Sequence, residues 1–115
     1  MSLTYFHNPR CSKSRQGLEL LSESGKDFEI VEYLKSGVSL IQIDELLEKL
    51  TTEPRTLVRI KEDAFKDLNI GSSELTKEKI REIISANPSL LERPILVNEK
   101  KAVIGRPTEN LSEIL

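Results

Sequence analysis

The fold of this chain is decided by the stretch His7-Asn8-Pro9-Arg10-Cys11-Ser12-Lys13-Ser14-Arg15. An apolar run from Leu3 to Phe6 precedes it and predicts a strand, and a helical pattern follows it to about Ser24. The stretch therefore predicts a turn that leads from a strand into a helix, with Cys11 at the helix N-terminus. A helix N-terminus and nearby cations both favour the thiolate, which is the reactive form of cysteine.

Cys11 is the single cysteine of the chain, and three cations, Arg10, Lys13 and Arg15, lie within four residues of it. We expect these cations to lower the pKa of the thiol. The alternative is that Cys11 is a small buried hydrophobic residue, but its charged neighbours and its place after a proline turn favour a reactive role. Because Ser14 stands where a dithiol motif would have its second cysteine, a resolving thiol must come from another molecule.

Three neighbours of Cys11 are candidates for supporting roles. His7 could help to keep the thiol deprotonated, through charge or through a hydrogen-bond network, or it could be a structural histidine at a strand end. Ser14 could cap the helix or donate a hydrogen bond to the thiolate. Arg15 lies on the same helical face as Cys11, where it either orients the site or is a solvated surface charge.

Composition limits the classes of function. A chain of 115 residues with 37% hydrophobic residues suits one domain, residues 1–115, and the net charge of −2 argues against nucleic-acid binding. Locally concentrated positive charge in an acidic chain favours a small anionic ligand.

One cysteine and one histidine exclude the usual zinc clusters, so we expect no metal. The sequence has no export signal and no apolar run of the roughly 18 residues that span a membrane, so we expect a cytoplasmic monomer with no membrane contact.

The rest of the chain predicts a mixed α/β order. A second strand is expected from Phe28 to Leu34, a helix capped by Ser39, a short helix at Pro54 and a helix capped by Thr76. The segment 60–70 is expected to be irregular or partly helical. A hairpin of two strands and a last short helix then follow, listed in order as Ile95–Val97, Ala102–Ile104 and a helix that begins at Pro107.

This order, β-α-β, a few helices, then β-β-α, predicts an α/β fold with a thioredoxin-like, glutaredoxin-like mixed sheet and a helical insertion at about residues 38–90. In that fold a cis-proline begins the third strand and faces the reactive thiol. Pro94 stands just before Ile95–Val97 and is the candidate, which would bring Arg93 beside Cys11.

Three arginines far from Cys11 in sequence are candidate oxyanion ligands: Arg59, Arg93 and Arg106. The planar guanidinium group bonds two oxygens of an oxyanion at once. Each arginine taken alone is better explained as a surface charge.

The chain resembles the glutaredoxin-linked arsenate reductases, especially a bacterial subgroup of arsenate reductase-like oxidoreductases. Four separated motifs carry the resemblance: the stretch 7–15, then Leu57-Val58-Arg59, Glu92-Arg93-Pro94-Ile95-Leu96-Val97 and Ile104-Gly105-Arg106-Pro107. Arg10, Ser12 and Lys13 depart from the best-known detoxifying enzymes, which have smaller or less charged residues at these positions.

The resemblance implies that Cys11 is the nucleophile, that His7 is linked to its low pKa, and that Arg59, Arg93 and Arg106 bind the oxyanion. Ser14, Arg15 and Pro94 would support the site. Arsenate would form a covalent adduct on Cys11, which glutathione attacks before glutaredoxin resolves the mixed disulfide. Glutathione would be a co-substrate, glutaredoxin a partner, and no cofactor would be bound.

Two other functions remain open on the same scaffold. The first is a general monothiol glutathione-dependent oxidoreductase or transferase, which needs Cys11 but not Arg59 or Arg106. The second is a redox-responsive regulator that contacts RNA polymerase. Such regulators usually carry a Cys-x-x-Cys switch, which Ser14 interrupts.

Overall fold

The computed structural model describes residues 3–115 and contains a four-stranded mixed sheet. The strands lie in the order β2-β1-β3-β4. β1 is parallel to β2 and antiparallel to β3, and β3 is antiparallel to β4. The four strands are β1 (Thr4–Phe6), β2 (Glu29–Val31), β3 (Ile95–Val97) and β4 (Ala102–Ile104).

Helices connect these strands in the predicted order. α1 (Ser12–Glu23) joins β1 to β2, and a 3₁₀ helix (Thr108–Ile114) follows β4. Between β2 and β3 lie four α-helices and three 3₁₀ turns: α2 (Tyr33–Ser36), α3 (Leu40–Lys49), α4 (Asp63–Lys66), α5 (Lys77–Ala86), and the turns Pro54–Leu57, Ser72–Glu74 and Pro88–Leu90. The predicted fold class, a thioredoxin-like mixed sheet with added helices, is confirmed.

Polar side chains cap the two longest inserted helices, α3 and α5, as the sequence predicts. Ser39 Oγ accepts from the Gln42 N–H at 3.1 Å, and Gln42 Oε1 accepts from the Ser39 N–H at 2.9 Å, which completes a capping box. Thr76 Oγ1 accepts from the Lys79 N–H at 3.1 Å. The N-terminus of each of these helices is therefore determined by side chains within four consecutive residues.

The prediction that the second strand reaches Leu34 is wrong. β2 ends at Val31, whose carbonyl accepts the His7 N–H at 2.9 Å. The backbone then turns at Glu32, and Tyr33 becomes the first residue of the short helix α2. Tyr33 is fully buried, because this turn directs its ring into the core under the inserted helices. The correction matters for function, since Tyr33 lies near the candidate site.

The sheet separates two hydrophobic clusters. Successive side chains of a strand point to opposite faces, so Phe6 packs with the inserted helices and Tyr5 packs with α1. The Tyr5 hydroxyl reaches α1 and donates to the main-chain carbonyl of Ser14 at 2.7 Å. A buried tyrosine thus links the central strand to the helix that begins at Cys11.

Gly17 makes this close approach of α1 to the sheet possible. A Cβ atom at Gly17 would overlap Tyr5 Oη and would lie 2.9 Å from Leu111 Cδ1. We expect Gly17→Ala to lower the free energy of unfolding by about 1–2 kcal/mol, because overpacking outweighs the better helix propensity of alanine. Urea denaturation measures the loss. Gly71→Ala is the matched control, since its Cβ would lie 3.7 Å from Ser73 Oγ, an ordinary contact. Equal stability of the two variants would contradict the packing argument.

Candidate active site

Cys11 occupies the N-cap position of α1, as predicted. Its own N–H donates to the Asn8 carbonyl at 3.0 Å, so the turn from β1 holds the residue in place. The side chain is only 9% exposed. The thiol therefore lies at the end of a helix, beside free main-chain N–H groups and largely shielded from bulk water.

The surroundings of Cys11 favour its thiolate. Burial by itself raises the pKa of the thiol, but a hydrogen bond and the charge of Arg93 lower it, together with the main-chain N–H groups of Ser14 and Lys13. The lowering influences prevail, and the pKa of Cys11 lies below its ordinary value. Arg106 adds a second guanidinium, with Nη2 at 3.6 Å from Cys11 Sγ.

The charges of the flanking cations of the stretch 7–15 are not among the largest influences on this pKa. Arg10, Lys13 and Arg15 are exposed, and Arg15 Nη1 donates to the Pro9 carbonyl at 2.9 Å. The thiol is buried, whereas these side chains face solvent. Arg15 consequently braces the turn before Cys11, and the guanidinium that stabilises the thiolate comes from Arg93.

His7 and Ser14 form a buried hydrogen-bond network under the site. His7 Nδ1 and Ser14 Oγ are 2.7 Å apart, and Ser14 Oγ accepts the Asn8 N–H at 3.0 Å. The His7 ring also stacks on Tyr5, with ring centroids 5.6 Å apart. Neither role predicted for the Ser14 side chain is found among residues 3–115. Its hydroxyl holds the turn, while its main-chain N–H supports the thiolate.

The surroundings of His7 favour its neutral ring. Burial lowers its pKa, as does Arg15, and the opposing effect of Glu32 is smaller than that of burial. Because Ser14 Oγ already accepts from Asn8, its O–H can donate to Nδ1, an arrangement that requires a neutral imidazole. The hydrogen-bond network predicted for His7 is present as far as Ser14, and the influence of His7 on the thiol stays a prediction.

Removing the Ser14 hydroxyl should destabilise the turn. We expect Ser14→Ala to cost about 1–3 kcal/mol of unfolding free energy, because it leaves the Asn8 N–H and His7 Nδ1 buried without this partner. Chemical denaturation measures the effect, and Ser12→Ala, an exposed serine two residues earlier, serves as the control. An unchanged denaturation midpoint in Ser14→Ala would show that the network adds nothing to stability.

Distant parts of the fold bring Arg93 and Arg106 to the thiol, and Arg59 lies close enough to share Glu92 with Arg106. The Arg93–Pro94 peptide bond is cis, as predicted, and directly precedes β3. This places the Arg93 guanidinium beside both Cys11 and Tyr33. Arg106 follows β4, and its Nε donates to the Arg93 carbonyl at 2.7 Å. Arg59 comes from the inserted segment, with its side chain 17% exposed.

Two glutamates that sequence reasoning did not single out hold these arginines. Glu62 Oε1 accepts from Arg59 Nε at 3.1 Å and from Arg59 Nη2 at 2.6 Å. Glu92 Oε1 lies 3.7 Å from Arg59 Nη1 and 3.4 Å from Arg106 Nε, and it accepts the Arg93 N–H at 3.0 Å. The Glu92-Arg93 adjacency was visible in the sequence, but the ion pairs to Arg59 and Arg106 depend on the tertiary fold.

Tyr33 is a further site residue that the sequence did not reveal. Burial raises its pKa to about 12, despite the opposing charge of Arg93, so the hydroxyl stays protonated at neutral pH. Within the described part of the chain, Tyr33 Oη, Arg59 Nη1 and Arg93 Nε are buried without a hydrogen-bond partner. The site thus keeps polar groups available that a small oxyanion can satisfy.

A cleft of about 300 Å³ opens beside these arginines. Its walls include Arg59 and Arg106 together with Lys61, and both glutamates of the site contribute to it. A second cleft of about 280 Å³ adjoins it and shares Glu92 and Arg106. The first cleft combines three cations with two carboxylates, and its lining does not include Cys11 or Arg93.

No group of three or more His, Cys, Asp or Glu side chains in residues 3–115 is arranged to hold a metal ion. In the same residues, no helix has both the length and the apolar character needed to cross a membrane.

Comparison with known proteins agrees with this geometry. Residues 6–114 match the ArsC family. The chain is 45% identical over 111 residues to the uncharacterized protein YfgD of Escherichia coli K12, covering 96% of this chain and 93% of that protein. It is 40% identical over 111 residues to an arsenate reductase of Neisseria meningitidis, covering 96% and 95%. Among solved structures, an arsenate reductase from Vibrio cholerae superimposes with a TM-score of 0.91 at 39% identity, covering 100% of this chain and 98% of that one.

Proposed function

We propose, from the premise that this chain belongs to the ArsC family, that it is a glutathione- and glutaredoxin-dependent arsenate reductase. The single observation that carries the proposal is the convergence of Arg93 and Arg106 on the Cys11 thiol. A thiolate beside two guanidinium groups combines a nucleophile with the positive charge that an attacked oxyanion needs.

In the proposed reaction, arsenate first binds to the arginines. Arg59 Nη1 and Arg93 Nε, which are buried without a partner in residues 3–115, supply donors to its oxygens, and Arg106 adds a third cation. These groups reduce the repulsion between the arsenate charge and the Cys11 thiolate. The thiolate then attacks arsenic, an S–As bond forms, and an arsenate hydroxyl takes a proton from solvent and leaves as water.

Reduction follows when glutathione enters. Its thiolate attacks Cys11 Sγ, the S–As bond breaks, and the electron pair of that bond goes to arsenic. The products are arsenite and a mixed disulfide between Cys11 and glutathione. A glutaredoxin thiol then attacks the glutathione sulfur and restores the Cys11 thiolate. Arsenic gains two electrons and two thiols are oxidised, which balances the reaction and places it in a reducing compartment such as the cytoplasm.

The test is an assay that couples glutathione oxidation to NADPH consumption through glutathione reductase. With glutaredoxin and glutathione present, the protein should consume NADPH only when arsenate is added, and arsenite should accumulate in equal amount. Cys11 must first be confirmed as reduced by thiol titration. NADPH consumption no faster than the protein-free background would reject the proposal.

A second candidate, a general monothiol glutathione-dependent oxidoreductase, is favoured by one observation. Arg59 is already paired with Glu62 and Glu92. This candidate predicts glutathionylation of Cys11 and exchange with small disulfides without arsenate. Arg59→Met separates the two functions, since it should impair arsenate turnover but leave disulfide exchange unaffected.

A further inference from the structure

Three positive side chains converge at the site from separate parts of the chain, and this arrangement needs an explanation. Arg59 precedes α4, Arg93 precedes β3 and Arg106 follows β4. Like charges repel each other strongly where water is scarce, so partly buried guanidinium groups stay together only if nearby anions offset their charge.

Glu92 is placed to offset two of these charges at once. One oxygen, Oε1, lies within ion-pair distance of both Arg59 and Arg106 and also accepts the main-chain N–H of Arg93. The Glu92 side chain is 24% exposed, so water competes only weakly for these contacts. A single carboxylate oxygen therefore connects all three segments that supply an arginine.

The contacts to Glu92 and Glu62 use only part of each guanidinium. Arg106 directs Nε to Glu92 and to the Arg93 carbonyl, which leaves Nη2 at 3.6 Å from Cys11 Sγ. Arg59 directs Nε and Nη2 to Glu62, which leaves Nη1 without a hydrogen bond inside the described range. Nη1 is too far from Glu92, at 3.7 Å, for a hydrogen bond. The carboxylates thus hold the arginines without saturating their donors.

We propose that Glu92 is a positioning residue that holds Arg59 and Arg106 in the orientation that receives the oxyanion. The inference rests on the proposed function, because it assumes that the oxyanion binds to these arginines. The direction in which the arsenate affinity changes tests the proposal. If the Glu92 carboxylate only competed with the oxyanion for the arginines, removing its charge would tighten arsenate binding. If it positions the arginines, removing its charge should weaken arsenate binding, since the released arginines turn towards solvent.

The test compares wild type with Glu92→Gln, which keeps an oxygen for the Arg93 N–H but removes the charge. The readout is the arsenate concentration that halves the rate of Cys11 alkylation by iodoacetamide, a neutral reagent. We expect this concentration to rise about tenfold or more in Glu92→Gln, because arginines that have turned away bind and orient arsenate poorly. The alkylation rate without arsenate is measured for each variant and used to normalise the protection, since a released Arg106 would no longer support the thiolate.

Two further variants keep the experiment decisive. Glu82→Gln removes an exposed charge that pairs with Lys79 on α5, and it should behave as wild type. Glu62→Gln releases one edge of Arg59 alone and should raise the protecting concentration about two- to fivefold. If Glu92→Gln fails to fold, the rise in Glu62→Gln decides whether carboxylates position these arginines, and an unchanged value there would overturn the inference.

The outcomes separate this inference from the proposed function. Tighter or unchanged protection in Glu92→Gln, with normal arsenate turnover by wild type, would overturn the positioning role and leave the function intact. Absence of protection in wild type at any arsenate concentration would also overturn it, because no oxyanion would then bind beside the thiol. Arsenate reduction is judged independently by the coupled assay.

Discussion

Cys11→Ser should reduce arsenate-dependent turnover to the background of the coupled assay, a loss of at least about a thousandfold. A serine hydroxyl is a much weaker nucleophile than the thiolate that Arg93 stabilises. Even if an ester with arsenate formed, glutathione could not form a disulfide with an oxygen atom, so the electron pair would have no route to arsenic. The measurement is arsenite formation, quantified alongside NADPH consumption.

The control for this variant is its fold. Serine and cysteine have similar volumes, so Cys11→Ser should keep the helix N-terminus and should unfold near the wild-type denaturant midpoint. A well-folded Cys11→Ser protein that still forms arsenite at a measurable rate would refute the covalent mechanism. It would indicate that the arginines merely bring arsenate and glutathione together.

Arg93→Met should give the second largest effect and should change two quantities at once. Loss of the guanidinium removes a hydrogen bond and a charge that lower the pKa of Cys11, so that pKa should rise. The pH profile of iodoacetamide alkylation would then move to higher pH. Loss of the same group from the oxyanion site should reduce kcat/KM for arsenate by about a hundred- to a thousandfold.

Arg93→Lys distinguishes the two contributions. Lysine keeps the charge but lacks the planar fork, so it should restore part of the alkylation profile and little of the arsenate turnover. Arg81→Met, which removes a surface arginine paired with Asp44, is the matched control and should affect neither quantity. An unchanged alkylation profile in Arg93→Met would mean that the helix N-terminus and Arg106 set the acidity of the thiol without Arg93.

Local rules in the sequence predict much of this fold. The caps at Ser39 and Thr76 and the turn before Cys11 each depend on a few neighbouring residues, and their chemistry is visible without tertiary structure. The end of β2 was mispredicted because Tyr33 and Leu34 suit a strand as well as a buried turn. Tertiary packing around Tyr33 decides between them.

The candidate site was predictable only in its parts. The sequence indicated Cys11 and the arginines as individual candidates, but it assigned the electrostatic role to the neighbouring Arg10, Lys13 and Arg15. Proximity in sequence differs from proximity in space, and the sheet brings Arg93 to the thiol while those three side chains extend into solvent. The role of Glu92 could not be predicted for the same reason, since its ion-pair partners Arg59 and Arg106 lie in distant segments.

The order in which the chain is synthesised gives this arrangement a consequence. Cys11 and its helix are translated before Arg106. Until β4 pairs with β3, the cysteine has the helix N-terminus but lacks the guanidinium that follows β4. Full activation of the thiol therefore requires a strand pairing between segments that are far from Cys11 in the sequence.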